Sequence, residues 1–494
     1  MNPVSYAELL RLTLPQIALT VAAFFVLACD GMLLRRSPIA VRARIAMLLS
    51  LAGSLVALAL LPLTAPVHLP DGMLVLDART GVVQVVLLLL TLAVTLLSGS
   101  VLVQQGREAS AFTTHIGEFF ALLLFATVAV LFLVSTQNLL LIFLAVEFLS
   151  LVLYVFTAFN KHSRASAEAA LKYFLFGGMS AGFLLFGISL LYGISGSLDL
   201  QQIALAASQP DSLLLAAIVL VILGFGFKIA AAPFHLWAPD AYQGAPSLSA
   251  GFIASSSKVV GFFVFAQVLF IGVASASGNA AWHLSAPGWM PILAAVAVLS
   301  MLLGNLAALA QTSLRRLLAY SAIGHAGYLL LGLIAHTPQS LAALLYYVFT
   351  YALAVLGAFG VLAVLETNGI DSLSSLAGLS RRSPTLSACL LVFLLSLAGI
   401  PPLAGFFAKF WLFAVALQAA PAFGLLWLVI LAILMSVVAL FYYLRVLRQV
   451  YVAPMAENAT PLSSPALARI TLLVMAALTL LLGCAPNLLM QRLR

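Results

Sequence analysis

The sequence predicts an all-α, polytopic membrane protein with fourteen transmembrane helices, on three observations. The chain of 494 residues is 64% hydrophobic and only 7% charged, with a mean hydropathy of +1.18, whereas about a quarter of a soluble chain is charged. Apolar runs of about 18 residues or more recur along its length, each able to cross about 30 Å of hydrocarbon as a helix. The arginines fall mostly in the short gaps between runs, where positive charge sets orientation. A β-barrel would show alternation over about ten residues, which is not present.

The spans read in order as 14–34, 45–65, 81–104, 116–135, 137–158, 169–194, 211–232, 247–275, 289–310, 315–336, 340–366, 385–419, 422–447 and 466–488. Gaps after odd-numbered spans carry Arg35, Arg36, Arg42 and Arg44, then Arg107, then Lys161 and Arg164, then Arg315 and Arg316, Arg381 and Arg382, and Arg445 and Arg448. The gap after span seven lacks cations. Gaps after even-numbered spans mostly lack cations or carry acids such as Asp71, Asp77, Asp199 and Asp211. The positive-inside rule then puts both termini outside the cytoplasm.

Two spans contain helix-breaking residues. Pro233 follows Lys228 by five residues, and Gly399-Ile-Pro-Pro402 divides the long twelfth run. Proline removes a ladder hydrogen bond and clashes with the preceding turn, so both helices are expected to break. The breaks lie five spans apart, and five is odd, so a duplicated five-helix unit would be inverted relative to its copy. Interrupted segments at matching positions of two halves mark the sites of inverted-repeat transporters. The expected organisation is three N-terminal helices (1–115), a first repeat (116–275), an inverted second repeat (289–447) and a C-terminal helix (448–494).

Several function classes are excluded. The net charge of +8 sits in loops, so no nucleic acid partner is expected and the lipid bilayer is. Cys29, Cys389 and Cys484 are isolated, without the spacing of an iron–sulfur, zinc or haem site. No glycine-rich nucleotide loop follows a strand. The amino terminus lacks a basic region and a cleavage site, so the first span is expected to be retained.

Ionisable groups inside the apolar runs point to chemistry. Three of the five lysines, Lys228, Lys258 and Lys409, lie there, as does Glu147. Each costs about 2.5–3.5 kcal/mol at mid-bilayer on insertion scales. Burial also lets a lysine switch charge, so together they suggest a proton-conducting axis. Glu147 and Lys228 would offset each other's desolvation as an ion pair, either structural or switching. Lys258 ends Ser255-Ser256-Ser257-Lys258, deep in span eight and too far from the interface to snorkel easily. Lys409 follows Gly405-Phe-Phe-Ala after the Pro-Pro break, where snorkelling is the competing reading. His325 sits mid-span in ten, suited to a proton relay or to a plain bond with a neighbouring helix; Gly324 and Gly327 beside it suit close helix packing. Asp30 reads as an interfacial pair with Arg35 and Arg36. His162, His235 and Arg315 read as loop or interface residues, with proton intake the minority alternative, and Trp237, Trp282 and Trp289 as interface anchors.

Four segments carry a family resemblance: Leu171-Lys-Tyr-Phe-Leu-Phe-Gly177; Lys228-Ile-Ala-Ala-Ala-Pro-Phe-His-Leu-Trp-Ala-Pro-Asp-Ala-Tyr-Gln-Gly-Ala-Pro246; Arg316-Leu-Leu-Ala-Tyr-Ser-Ala-Ile-Gly-His-Ala-Gly-Tyr328; and Leu397-Ala-Gly-Ile-Pro-Pro-Leu-Ala-Gly-Phe-Phe-Ala-Lys-Phe410. With these the chain, from about Leu12 to Arg448, resembles the antiporter-like membrane subunits of respiratory complex I. Gln243 departs from the acid expected in that family's turn.

The resemblance implies fourteen helices with broken seventh and twelfth helices in two inverted repeats. It implies Glu147 paired with Lys228, Lys258 as the central lysine and Lys409 as the lysine of the second half. It further implies a non-redox, proton-translocating subunit of an NADH–quinone oxidoreductase in a bacterial inner membrane, partnered by other complex I membrane subunits. No cofactor is expected in this chain, with FMN, iron–sulfur clusters and quinone in other subunits, and NADH and quinone reached only through the complex. The alternatives are a subunit of a multi-component cation/proton antiporter of the same superfamily, and an inert membrane scaffold.

Overall fold

The computed structural model describes residues 6–62, 66–105, 115–207, 211–455 and 462–493. Arg107 lies outside them. Twelve helices among the described residues are long and apolar enough to cross a membrane, so the protein is a helical, multi-pass membrane protein. The principal helices are α1 (Leu14–Leu33), α2 (Ile39–Ala59), α3 (Ala78–Gln105), α4 (Ile116–Val134), α5 (Leu139–Thr157), α6 (Arg164–Ser195), α7 (Ser212–Lys228), α8 (Trp237–Gly244), α9 (Ser247–Ala254), α10 (Ser256–Gln267), α11 (Trp289–Leu309), α12 (Leu314–Ala335), α13 (Ser340–Glu366), α14 (Pro384–Ala398), α15 (Ala404–Gln418), α16 (Leu426–Tyr451) and α17 (Ala466–Cys484).

Helix ends follow local chemistry. The Asn138 side chain accepts from the amides of Leu140 and Leu141, and the Asp211 carboxylate from Leu214, occupying donors that a first turn leaves free. Gly196 ends α6 and Gly399 ends α14 in the left-handed conformation that glycine adopts without steric cost. α2 begins at Ile39, six residues before the span expected at 45, because Arg42 and Arg44 lie within its first turns.

Helices α9, α10, α12 and α13 form the protein-enclosed centre, while α1, α2, α6, α16 and α17 keep much of their surface outward. The outward faces are apolar at helical spacing, as with Leu140, Leu144, Phe148, Leu151 and Val155 on α5, which suits a lipid surroundings. Two glycine crossings bring helices unusually close. A Cβ on Gly304 would lie 2.3 Å from the Gly324 nitrogen, and one on Gly327 would lie 2.8 Å from the Met301 nitrogen. Small residues at α11–α12 therefore let the backbones touch.

The connections gather into opposing groups. A short antiparallel ribbon (Val67–His68 with Val75–Leu76) meets the α4–α5 turn, where the Gln137 amide donates to Gly72, and Asn138 bridges to Asp199. The Trp282 amide donates to Gly424. On the other side, the connections after α5, α8, α11 and α13 line one cavity, and Arg445 of α16 donates to the Leu309 and Gln311 carbonyls at 2.6 Å.

Three sequence expectations are corrected. Trp237 and Trp289 are not interface anchors but core residues, 1% and 0% exposed; their indoles donate to the Phe227 and Val273 carbonyls, the partner that a buried N–H requires. Trp282 is exposed. Asp30 is paired not with Arg35 or Arg36 but with Arg42, in a two-pronged bridge of 2.7 and 2.6 Å, and also takes the Gly117 amide. It thereby ties α1, α2 and α4 together, because a buried carboxylate needs its oxygens filled. His235 is buried, whereas His162 is exposed and Arg315 sits in the first turn of α12.

Candidate functional site: a row of buried charges

Glu147 stands midway along α5, half-buried beside the helix's outward apolar face. Lys228 is the last residue of α7 and is 3% exposed. The two line one small cavity, with Ser150, Ser180 and Gly224, that has room for about one water. Among the described residues they form no direct ion pair. Lys228 instead donates to the Ser150 hydroxyl at 3.1 Å, one turn along α5 from Glu147.

After Lys228 the chain leaves helical geometry until Trp237. Ala230 sits at φ +54, a region unfavourable for a residue with a Cβ. The backbone groups freed there find partners on neighbours: the Ala232 amide donates to Ser300 at 2.8 Å, and the Trp237 indole donates to the Phe227 carbonyl at 3.0 Å. A non-helical stretch at membrane depth is tolerated only when its polar groups are satisfied inside the protein.

Lys258 lies just beyond a local interruption at Ser255, whose ψ of −79 separates α9 from α10. Serine is not a strong helix breaker, so the sequence gives little sign of it. The stem of Lys228 packs against Gly261, one turn beyond Lys258: its Cγ is 3.7 Å from where a Gly261 Cβ would sit. The Lys258 ammonium donates to the Ala322 carbonyl and lies 5.5 Å from the centre of the Tyr351 ring.

His325 follows Ala322 by one turn on α12. Its ring is 4.9 Å from that of Tyr351, and its Nδ1 is 3.0 Å from the Tyr347 hydroxyl. Tyr351 thus stands between Lys258 and His325. On the far side, His325 and Lys409 share a second small cavity with Tyr347, Thr350 and Ser396. Lys409 lies 5.2 Å from the Tyr328 ring and donates to the Ala398 carbonyl at 2.9 Å and the Ser436 hydroxyl at 2.8 Å.

The Ala398 carbonyl is the C-terminal end of α14, which carries partial negative charge. Lys409 is therefore a buried cation seated on a helix terminus, at 5% exposure; it does not reach the interface.

The five sequence-selected residues fall into two groups, Glu147 with Lys228 about one cavity and Lys258, His325 and Lys409 joined through Tyr351 and a second cavity, with only the Lys228 stem against Gly261 between them. Residues missed from the sequence are Ser150, Ser436, Tyr347 and Tyr351. Tyr347 and Tyr351 recur at i, i+4 within an apolar span, and a phenol there must find a polar neighbour. Such an arrangement can hold cations in fat and rearrange their partners. Among the described residues no cluster of three or more metal-ligating side chains occurs.

The family model described as "NADH:quinone oxidoreductase/Mrp antiporter, TM" matches residues 136–436. A relative from Acidobacterium capsulatum, NADH-quinone oxidoreductase subunit N 2, is 95% identical over all 494 residues and the whole of its own length. A chain of respiratory complex I from Thermus thermophilus with bound aureothin superposes with a TM-score of 0.78 at 35% identity, covering 97% of this chain and 98% of that one. A chain of the Mrp complex from Dietzia superposes at 0.79 but is only 20% identical, over 97% and 96% of the two chains, and shares the fold alone. With the broken segment at Lys228, the Pro-Pro segment before Lys409 and the His325 motif all inside the matched region, the chain belongs to the antiporter-like membrane subunits of NADH–quinone oxidoreductase, in the subunit N family.

Proposed function

We propose that the chain is a proton-translocating module of an NADH–quinone oxidoreductase, moving charge along Glu147, Lys228, Lys258, His325 and Lys409 while electrons pass through other subunits. The observation that carries the reading is the set of buried lysines between the two chain interruptions, Lys228 sharing a cavity with Glu147, Lys258 beside Tyr351, and Lys409 sharing a cavity with His325. Four costly ionisable groups kept in fat require a function that uses their ionisation. Lys228 meets Glu147 across a shared cavity rather than in a fixed bridge, which suits a partner exchanged during a cycle.

The finer architecture follows. α7 with α8, and α14 with α15, read as the broken seventh and twelfth spans, and α9 with α10 as span eight, giving fourteen crossings. The units at 116–275 and 289–447 are then inverted copies, flanked by 1–115 and 448–494. The shared cavity of the connections after α5, α8, α11 and α13 supports one cytoplasmic face for them, with both termini opposite. NADH, FMN, iron–sulfur clusters and quinone belong to partner subunits, and the setting is a bacterial inner membrane.

Moving one charge against 100 mV costs about 2.3 kcal/mol, which each change of partner at a lysine must supply. In the assembled complex, Lys228→Ala or Glu147→Ala lowers the ratio of protons pumped to quinone reduced. Normal pumping with normal quinone reduction in both variants refutes the assigned role. An antiporter subunit of the same superfamily is the weaker reading, since the Mrp chain shares only the fold; genes for NADH and quinone chemistry beside this one separate the two.

A further inference from the structure

On the face where the connections after α5, α8, α11 and α13 meet, a cavity of about 600 Å³ opens, lined by Asn160, Ser163, Ser247, Arg315, Glu366 and Asp371 among others. Glu366 ends α13 in its wall. Its carboxylate accepts from the hydroxyl of Ser247, the first residue of α9, and from Arg315 Nε at 3.0 Å. Arg315 is itself held by the Gln243 and Ala245 carbonyls at 2.9 and 3.3 Å. The carboxylate is thus fixed at the mouth of the seam between α9–α10 and α13.

That seam leads to Lys258. The helices run antiparallel, with Ser247 against Glu366, Gly251 against Phe359, and Lys258 over Tyr351. The fifteen residue steps from Tyr351 to Glu366 span about 22 Å of helix. Two phenols on this line are buried with unpartnered hydroxyls: Tyr242, whose ring touches Phe359 at 5.9 Å, and Tyr351. Ser249 and Ser256 on the same helices are also unpartnered. Buried hydroxyls ordinarily find a partner, and each can accept one proton while donating another.

We propose that Glu366 is the proton-collecting carboxylate of an uptake route from this cavity to Lys258, a role that rests on the translocation reading above. The carboxyl O–H bond of Glu366 breaks, its proton passes along water molecules drawn in from the cavity and bound to the open hydroxyls of Tyr242 and Tyr351, each water giving up one proton as it takes the next, and a new N–H bond forms on the neutral Lys258 amine. Glu366 is left as a carboxylate and takes its next proton from solvent in the cavity. The charged groups facing it are Arg315 from α12, which holds the carboxylate in place, and Asp371 from the segment after α13, a like charge that repels it.

The test uses the assembled complex in inverted membrane vesicles, with proton uptake and quinone reduction measured together from neutral to alkaline pH. Glu366→Gln should lower protons pumped per quinone reduced by on the order of tenfold. The loss should steepen as pH rises, and formate, a small weak acid, should partly restore pumping, as should Glu366→Asp. Wild-type pumping by Glu366→Gln at every pH, in complexes that Lys258→Ala disables, reduces the Arg315–Glu366 contact to a structural pair and overturns the uptake role alone. Full pumping in Lys258→Ala overturns the underlying reading instead. If Glu366→Gln fails to assemble, the double variant Tyr242→Phe/Tyr351→Phe decides: a comparable, pH-steepened loss supports the route, and unchanged pumping refutes it.

Discussion

Lys228 and Lys409 flank the centre of the molecule, each beside an interruption of its helix, yet they are held differently. Lys228 ends the helix that precedes its break, reaches a single hydroxyl and shares a cavity with Glu147. Lys409 belongs to the helix that follows its break and sits on the terminal carbonyl of α14 plus a hydroxyl, with no carboxylate in its cavity. One cation is balanced by an acid that can lose or gain a proton, the other by a helix terminus that cannot. Under the proposed translocation, the first suits switching and the second a fixed relay point.

The largest effect on this comparison should come from Gly405, at the start of α15. A Cβ there would lie 1.8 Å from the Ser396 carbonyl oxygen, so Gly405→Ala must push the two halves of the second break apart. Overpacking of this kind costs about 1–3 kcal/mol or more, and the amount of assembled complex on native gels should fall several-fold. Gly182→Ala, whose Cβ would meet nothing within 4 Å, should assemble normally. Equal assembly of the two variants would show that the second break tolerates slack.

A smaller effect is expected at the first break. Trp237→Phe keeps a ring against Tyr173, 4.1 Å away, but removes one of the two donors to the Phe227 carbonyl, leaving the Ala230 amide at 3.0 Å, a loss of about 0.5–1.5 kcal/mol. The midpoint of thermal inactivation should drop by a few degrees, and an unchanged midpoint would mean that the Ala230 amide alone satisfies that carbonyl.

The smallest and sharpest difference concerns the two serines. Ser150→Ala removes the hydroxyl bonded to Lys228, whereas Ser436→Ala leaves Lys409 its Ala398 carbonyl. A hydrogen bond to a charged group contributes about 1.5–3 kcal/mol, so pumping should fall several-fold further in the first variant than in the second. The reverse order would break the distinction between a switching and a fixed lysine.

Much of this was legible in the chain because hydrocarbon is an unforgiving solvent. Apolar runs must be helices, cations must sit in loops, and a lysine or glutamate inside a run stands out; all five selected residues lie in helices, four of them buried and Glu147 half-buried. Tryptophan was misread because its amphipathic ring suits an interface and a core with a carbonyl in reach equally well, and periodicity cannot tell which. The Asp30 partner was misread because proximity in sequence favoured Arg35 and Arg36, while the turn into α2 carries Arg42 back onto the carboxylate.

By itself, then, the sequence determined the solvent, the helices and the identity of the buried charges, since those follow from composition and spacing along one chain. Only the tertiary structure decided which groups meet: that Ser150 rather than Glu147 bonds Lys228, that Tyr351 stands between Lys258 and His325, and that Glu366 faces Ser247. The physical reason is that a buried polar group is satisfied by whichever neighbour the packing of distant helices brings within about 3 Å, and no local pattern encodes that distance.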